Sequence, residues 1–463
     1  MRTYRKVWGS FCYGSHPWHS ETGFRWGAMI RRIAVAAVAL AFLGLLVFSS
    51  LSWRAAIAPI ERPNPASFSA ESVAKGEVLA AEGHCLSCHI RPSGQPFAGG
   101  YGVNTPFGII YGSNITPDPK TGIGGWSLEA FTRAMREGVS RDGSHLFAAF
   151  PFNAYTELQD DDVKALYAYL MTRPAVSATV PPMTVPFPLN VRFLQEGWKI
   201  LCFRRGRYRR DRAKDAQWNR GAYLAQAVTD CGGCHTPRNA LGGEKLRDAF
   251  AGTVVDNWIA PPLTEANPSP VSWTQEELFS YLRTGVDPLH GAVAATMTAT
   301  VRDALDLPVV PDDDVRAIAL YISDIDRASV RVSNVEAATK EALQNSSLGS
   351  GQEYDPDANL YASACLSCHY NTGRVPLPAR PELALNSALS LPEPTNFIQA
   401  VLRGIGNTEG APGLVMPAYA SSFTDAELAR IAAYLRRTRT TRPPWTDLEN
   451  KVSAVRRELT ASH

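Results

Sequence analysis

The chain has 463 residues, which at roughly 150 residues per domain fits about three domains. Its 46 basic and 44 acidic residues leave a net charge of +2, so no basic surplus points to nucleic acid. Apolar residues make up 45% of the chain, enough for packed cores, and no Gly-rich phosphate loop or flavin fingerprint occurs.

In chain order, the first predicted element is an apolar helix over residues 33–53, "IAVAAVALAFLGLLVFSSLSW". It holds 21 uncharged residues, and crossing the hydrocarbon core of a bilayer takes about 20. Arg2, Arg5, Lys6, Arg25, Arg31 and Arg32 precede it, so the positive-inside rule puts residues 1–32 in the cytoplasm. A cleaved leader is the competing reading, because "AAIA" at Ala55–Ala58 is a weak cleavage sequence and "MIRRIAVAA" from Met29 would make a compact leader by itself.

Three units with one internal order follow. The first, residues 68–174, opens with the helical pattern "AKGEVLAAEGHC" and runs into Cys-Leu-Ser-Cys-His at Cys85–His89. After the Gly/Pro-rich stretch "RPSGQPFAGGYGVNTPFG", read as loop, it carries "WSLEAFTRAMREGV" and then "LQDDDVKALYAYL". A proline-rich linker, residues 175–210, contains the apolar "FLQEGWKILCF", expected to bridge domains. The second unit, residues 211–326, repeats the order with "NRGAYLAQAVTDC", Cys231–His235, "WTQEELFSYLRTGV" and "VPDDDVRAIALYI". After a polar linker, residues 327–351, the third unit spans residues 352–440. It holds "PDANLYASAC", Cys365–His369, "PTNFIQAVLRGI" and "FTDAELARIAAYL". Residues 441–463 read as an amphipathic helical tail that packs on protein rather than lipid. Asp- and Thr-rich openings mark the helix starts.

Cys-x-x-Cys-His has two main readings. Half of a zinc site would need a second ligand pair for each copy. Six of the eight cysteines lie in the three motifs, and the remaining two, Cys12 and Cys202, stand alone. A thioredoxin-like pair would need strand–helix units, and these flanks read helical. Three copies with matching flanks indicate covalent haem c: Cys85 and Cys88, Cys231 and Cys234, and Cys365 and Cys368 form thioethers, while His89, His235 and His369 ligate iron. With residues 33–53 as a transmembrane anchor, Cys12 and Cys202 would lie on opposite sides of the membrane and could not pair.

A second ligand follows from spacing. Met297 lies twelve residues beyond Gly285, and Met416 twelve beyond Gly404. A thioether at the sixth position raises the reduction potential, so both are candidate iron ligands opposite the second and third haems. Twelve residues beyond Gly138 stands Phe150, which cannot bind iron. For the first haem, His145, Met135, Met183 or an open position remain.

With these residues assembled, the chain resembles the membrane-bound triheme cytochrome c subunits of bacterial dehydrogenase complexes. These serve alcohol, gluconate, sorbitol and fructose dehydrogenases and molybdenum hydroxylases acting on nicotinate, isoquinoline or aldehydes. The resemblance rests on the three motifs, "NITPDPKTGIGGWSLEAFTRAMREGVSRDGSHLF", "FPLNVRFLQEGWK" and "LVMPAY", and covers nearly everything after the anchor. Family members often carry methionine where this chain has Phe150. The resemblance implies a mainly α fold of three tandem cytochrome c domains after one N-terminal transmembrane helix. It also implies haem domains in the periplasm, an inner-membrane location, and a catalytic partner of flavin, quinoprotein or molybdopterin type. Ubiquinone or a terminal oxidase would accept the electrons. Two other readings stand beside it: a peroxidase or reductase acting at an open first haem, and a cytochrome subunit of a terminal oxidase. The sequence shows no positioned acid–base constellation for the first and no many-helix membrane core for the second.

Overall fold

A computed structural model describes residues 21–327, 335–347, 355–369, 381–406 and 415–461. Cys12, the basic residues Arg2, Arg5 and Lys6, and both ends of the linker at 327–351 lie outside the described residues. Helix α1, Glu21–Ser52, contains the apolar stretch Met29–Ser52, 24 residues long, within which an 18-residue window averages a hydropathy of 2.5. It is long and apolar enough to cross a membrane, and side chains such as Leu40 and Phe42 are exposed along it.

The first repeat is built from α2 (Ala70–Glu82), α3 (Leu128–Glu137) and α4 (Asp160–Thr172). Ser69 and Ser127 cap α2 and α3 by accepting backbone N–H bonds, while Asp160, Asp161 and Asp162 sit in the first turn of α4, where carboxylates oppose the helix dipole. The linker folds into α5, Gln195–Cys202. The second repeat is α6 (Ala216–Tyr223), α7 (Gln275–Thr284) and α8 (Asp312–Ile325). After α9 (Val335–Ser347), the third repeat is α10 (Pro356–Ala364), α11 (Thr395–Arg403) and α12 (Asp425–Arg439), followed by α13 (Leu448–Ala461). Reciprocal Thr–Glu capping boxes, Thr274 with Glu277 and Thr424 with Glu427, start α7 and α12.

In the first two repeats the opening and closing helices cross at a glycine. A Cβ at Gly76 would stand 2.0 Å from the Ala165 carbonyl oxygen, and one at Gly221 would stand 1.8 Å from that of Ala317. No other residue type fits at either crossing. Cys85 lies nine residues after Gly76, whereas Cys231 lies ten after Gly221. The structure absorbs the extra residue as a π turn, Leu224–Val228, which continues α6.

Among the described residues, three short antiparallel hairpins interrupt the helices: β1 (Gly102–Thr105) with β2 (Gly108–Tyr111), β3 (Thr253–Val255) with β4 (Trp258–Ala260), and β5 (Val286–Asp287) with β6 (Gly291–Ala292). They fall in stretches read as irregular loops. The β3–β4 turn did carry a signal, since Asp256 and Asn257 adopt φ of 47° and 64°, the left-handed pair of a tight hairpin turn.

Packing departs from three independent domains. The first two repeats share one continuous core, in which Leu79, Leu166 and Met171 join Leu224, Leu305 and Ile318. The third repeat has its own core around Ile398, Leu402, Leu428 and Tyr434. Helix α13 belongs to that core through Val452 and Val455, and Arg456 holds it there by donating to the carbonyls of Phe423 and Ala420 and pairing with Asp425. A small cluster of Val271, Leu343 and Leu385 joins α9 to the second and third repeats. Among the described residues every apolar core cluster lies after Trp53, so residues 54–463 contain the packing that holds them folded.

A polar cluster flanks that shared core where the first two repeats meet. Arg220 grips Asp314 through Nε and Nη2, at 2.7 and 2.8 Å, and its guanidinium also lies 3.8 Å from Glu82. The Tyr223 hydroxyl donates to Asp162, which also pairs with Lys75 at 2.6 Å. Glu82 is fully buried, and burial followed by the neighbouring Asp314 raises its pKa to about 9. An acid whose folded pKa exceeds its unfolded value loses stability as pH rises between the two, here from about 4.5 to about 9. Glu82→Gln should remove that slope, on the order of 1 kcal/mol per pH unit. Urea denaturation at pH 6 and pH 9 checks it: the variant's advantage over the parent is larger at pH 9 than at pH 6.

Candidate functional site

Each Cys-x-x-Cys-His occupies one helical turn. The His89 N–H donates to the Cys85 carbonyl at 3.2 Å and that of His369 to the Cys365 carbonyl at 3.0 Å, while Cys231–His235 forms a short α-helix. Residues three apart on a helical turn face the same side, so each pair of thiols is presented together. His84 and Asp230, immediately before the first thiols, take left-handed φ of 37° and 53° that swing the chain into the turn. None of the six thiols is in a disulfide. Burial raises Cys85 and Cys231 to about 12 and Cys365 to about 11, the opposite of what an activated nucleophilic thiol needs.

The three imidazoles share one geometry. His89 Nδ1 lies 2.6 Å from the Ser113 carbonyl oxygen, His235 Nδ1 lies 2.7 Å from that of Pro261, and His369 Nδ1 lies 3.0 Å from that of Pro381. A carbonyl oxygen only accepts, so each Nδ1 carries the proton and each Nε2 keeps its lone pair for a metal. Burial lowers the pKa of all three, which keeps them in the neutral form that ligates. Paired thiols, a neutral imidazole with a free Nε2 and apolar walls are the donor set of covalent haem c, and the residues fit it. The three carbonyls were not legible in the sequence, because a backbone oxygen has no residue signature.

Close packing fixes the first of these carbonyls. A Cβ at Gly112 would lie 1.8 Å from the Cys88 carbonyl oxygen, so only glycine lets the loop that carries Ser113 pass the motif. In the second repeat, β4 leads directly to Pro261. The Asn396 side chain of the third repeat pairs with that strand, accepting from the Ile259 N–H at 2.7 Å and donating to the Ile259 carbonyl at 2.8 Å. The segments just before the first two motifs also touch, through His84 Nε2 and the Thr229 carbonyl oxygen at 3.2 Å.

On the opposing side, the helix-ending glycines Gly138 and Gly285 adopt left-handed conformations and turn the chain into a short bridge. Val139 pairs with His145, Val286 with Ala292, and Ile405 with Met416. The common twelve-residue offset thus conceals two local geometries: Met416 lies at the bridge itself, while Met297 and Phe150 lie five residues beyond it. Met297 and Phe150 are half-buried against the core that contains Cys231 and Cys85. Met416 is half-buried against the core that contains Cys365. Phe150 meets the Tyr155 ring edge-on at 5.5 Å.

His145 stands at the bridge position that Ala292 fills in the second repeat. Its side chain is 1% exposed, with Nδ1 3.0 Å from Lys199 Nζ and 3.5 Å from Glu196 Oε2. Lys199 also donates to the carbonyls of Glu137 and Gly138, at 2.6 and 2.7 Å. An ammonium has three donors, and these partners take them, so while Lys199 is protonated His145 Nδ1 accepts and the ring proton sits on Nε2. That tautomer offers iron no lone pair. Burial pulls Lys199 down to about 7, with Glu196 opposing. Met135 is buried on α3 as core, and Met183 is half-buried in the linker. Helix α5 bridges the first two repeats: Trp198 donates to the Leu241 carbonyl at 2.8 Å and packs edge-on against Phe152.

Comparison with known proteins finds cytochrome c relatives. Residues 73–174 match the cytochrome c family, and residues 352–435 match the family of cytochrome c oxidase, cbb3-type, subunit III. The chain is 34% identical to the fructose dehydrogenase cytochrome subunit of Gluconobacter japonicus over 393 residues, covering 81% of this chain and 80% of that protein. It is 32% identical to the gluconate 2-dehydrogenase cytochrome c subunit of Pantoea cypripedii, over 79% of this chain and 85% of that one. A nicotinate dehydrogenase subunit of Pseudomonas putida is 40% identical over 91% of this chain, but the match spans only 35% of that longer protein.

Proposed function

Because the chain belongs to the family of cytochrome c subunits of dehydrogenase complexes, we propose that it carries three covalent haem c groups and relays electrons from a periplasmic dehydrogenase to ubiquinone or a terminal oxidase of the bacterial inner membrane. The observation that carries the count is the repeated imidazole geometry, three rings each holding Nδ1 against a backbone carbonyl. Bound haem supplies a one-electron iron couple. The chain's residues do the rest. Paired cysteines would hold the porphyrin through thioethers, the carbonyls orient the imidazoles, and Met297 and Met416 would offer sulfur to the second and third irons.

The fold supports a relay. The first two attachment segments meet at His84 and Thr229, and Asn396 seats the third repeat beside the strand leading to Pro261. Such contacts connect the three sites in series through one protein body. The substrate pocket belongs to the catalytic partner, of flavin, quinoprotein or molybdopterin type. Helix α1 would anchor the chain with its repeats on the periplasmic side, where the oxidising compartment and haem attachment machinery lie.

The count is checked by a pyridine haemochrome assay on protein quantified by amino-acid analysis, after acid–acetone extraction to strip non-covalent haem. Three haems per chain are expected. A ratio of two or one would refute the assignment of all three motifs.

A further inference from the structure

Helix α5 is amphipathic the wrong way round for a helix facing water. Its charged residues Glu196 and Lys199 are buried, 8% and 4% exposed, while Ile200 and Leu201 are 57% and 71% exposed. The linker leading into it continues the pattern, with Phe187 80% exposed and Leu194 43% exposed. Such a run of outward apolar side chains implies an apolar medium or partner on that face. Immediately after α5 comes "FRRGRYRRDR", in which Arg204, Arg209, Arg210 and Arg212 are exposed and make no ion pair with a described residue.

We infer that this face of α5 and its linker lies on an anionic phospholipid surface, a second membrane contact besides α1. Ile200 and Leu201 enter the acyl boundary, and the arginines meet lipid phosphates, the arrangement of an interfacial helix. Chain continuity favours lipid over a protein partner. Arg54 follows α1 after the single residue Trp53, so the chain itself delivers Arg54 to the edge of any bilayer that α1 crosses. Arg54 pairs with Glu196 on α5, Nη2 to Oε1 at 3.1 Å. The neighbouring backbone is held as well: Ile57 exchanges hydrogen bonds with Arg141, and the Ala55 carbonyl accepts from Arg133. The inference thus rests on the reading of α1 as an anchor, and its test is arranged to separate the two.

Residues 54–463, exported behind a cleavable signal and matured with haem, are floated with pure phosphatidylcholine vesicles and with vesicles containing about one-third phosphatidylglycerol. Flotation with the anionic vesicles, weakened by salt, is expected. Ile200→Ser/Leu201→Ser should weaken it at least about tenfold on either vesicle. Arg209→Gln/Arg210→Gln should weaken it about tenfold on anionic vesicles only. Haem content and far-ultraviolet circular dichroism confirm that the variants are folded. No flotation of the parent, or flotation unchanged in both variants, overturns the inference. It is equally overturned if Ile200→Ser/Leu201→Ser floats normally but no longer co-purifies with the catalytic subunit, which would make this face a protein interface. Carbonate extraction of the full chain tests α1 independently: release of the full chain with flotation intact refutes the anchor and leaves the α5 surface standing.

Discussion

Met416→Ala will lower the midpoint potential of one haem by on the order of 100 mV or more, and Met297→Ala will do the same to a different haem. Sulfur stabilises ferrous iron relative to a second nitrogen or oxygen ligand, so losing it favours the ferric state. Spectroelectrochemical titration reads the shift. The sulfur-to-iron charge-transfer band of the oxidised protein should fall by one ligand's share in each variant and vanish in the double variant. Met416 should be the cleaner case. Its backbone is clamped on both sides of the bridge to Ile405, with N–H to carbonyl distances of 2.9 and 2.8 Å, so a shortened side chain leaves the loop in place. Met297 sits at the start of a five-residue helix, Thr296–Thr300, where truncation can be followed by local resettling. A full charge-transfer band in both variants would show that the spacing from Gly285 and Gly404 selected the wrong residues.

The haem-binding side of each site was readable because it is covalent chemistry at fixed spacing. Two thiols and an imidazole within five residues permit few alternatives, and three copies with matching helical flanks leave one. The helices were readable for a related reason, since the Asp-rich and Thr–Glu openings of α4, α7, α8 and α12 advertise their N-termini. What stayed hidden depends on contacts far apart in sequence. The carbonyls of Ser113, Pro261 and Pro381 lie 24, 26 and 12 residues beyond their histidines, and only folding makes them partners. The π turn at Leu224–Val228 was visible only as a one-residue discrepancy between two glycine-to-cysteine spacings. His145 shows the limit most clearly. In the sequence it is a histidine five residues before a missing ligand, and nothing nearby announces Lys199, 54 positions later, which engages its ring. The shared core of the first two repeats was likewise unreadable, because helical periodicity gives the apolar face of each helix and not the helix it meets.

Phe150 makes the first haem unlike the other two, and Phe150→Met should convert it. In the unmodified protein no thioether is available at that position, and His145 is held by Lys199 with its proton on Nε2. A high-spin ferric signal in electron paramagnetic resonance is therefore expected for one haem in three, and carbon monoxide should bind one reduced haem readily. Methionine at 150 is smaller than phenylalanine and unbranched, so it fits the half-buried site. The substitution forfeits the edge-on contact with Tyr155, about 0.5–1.5 kcal/mol, and gains an iron–sulfur bond. The high-spin signal and carbon monoxide binding should both disappear, a charge-transfer band should grow by half, and the potential of that haem should rise. His145→Ala is the control. It removes a partner of Lys199, and so costs stability, but should leave the haem spectrum of the parent unchanged. A bis-histidine low-spin signal in the parent that vanishes in His145→Ala would show that the ring leaves Lys199 to bind iron. Three equivalent His/Met signals in the parent would instead mean that Met135 or Met183 reaches the first haem, which requires α3 or the linker to leave its packed position.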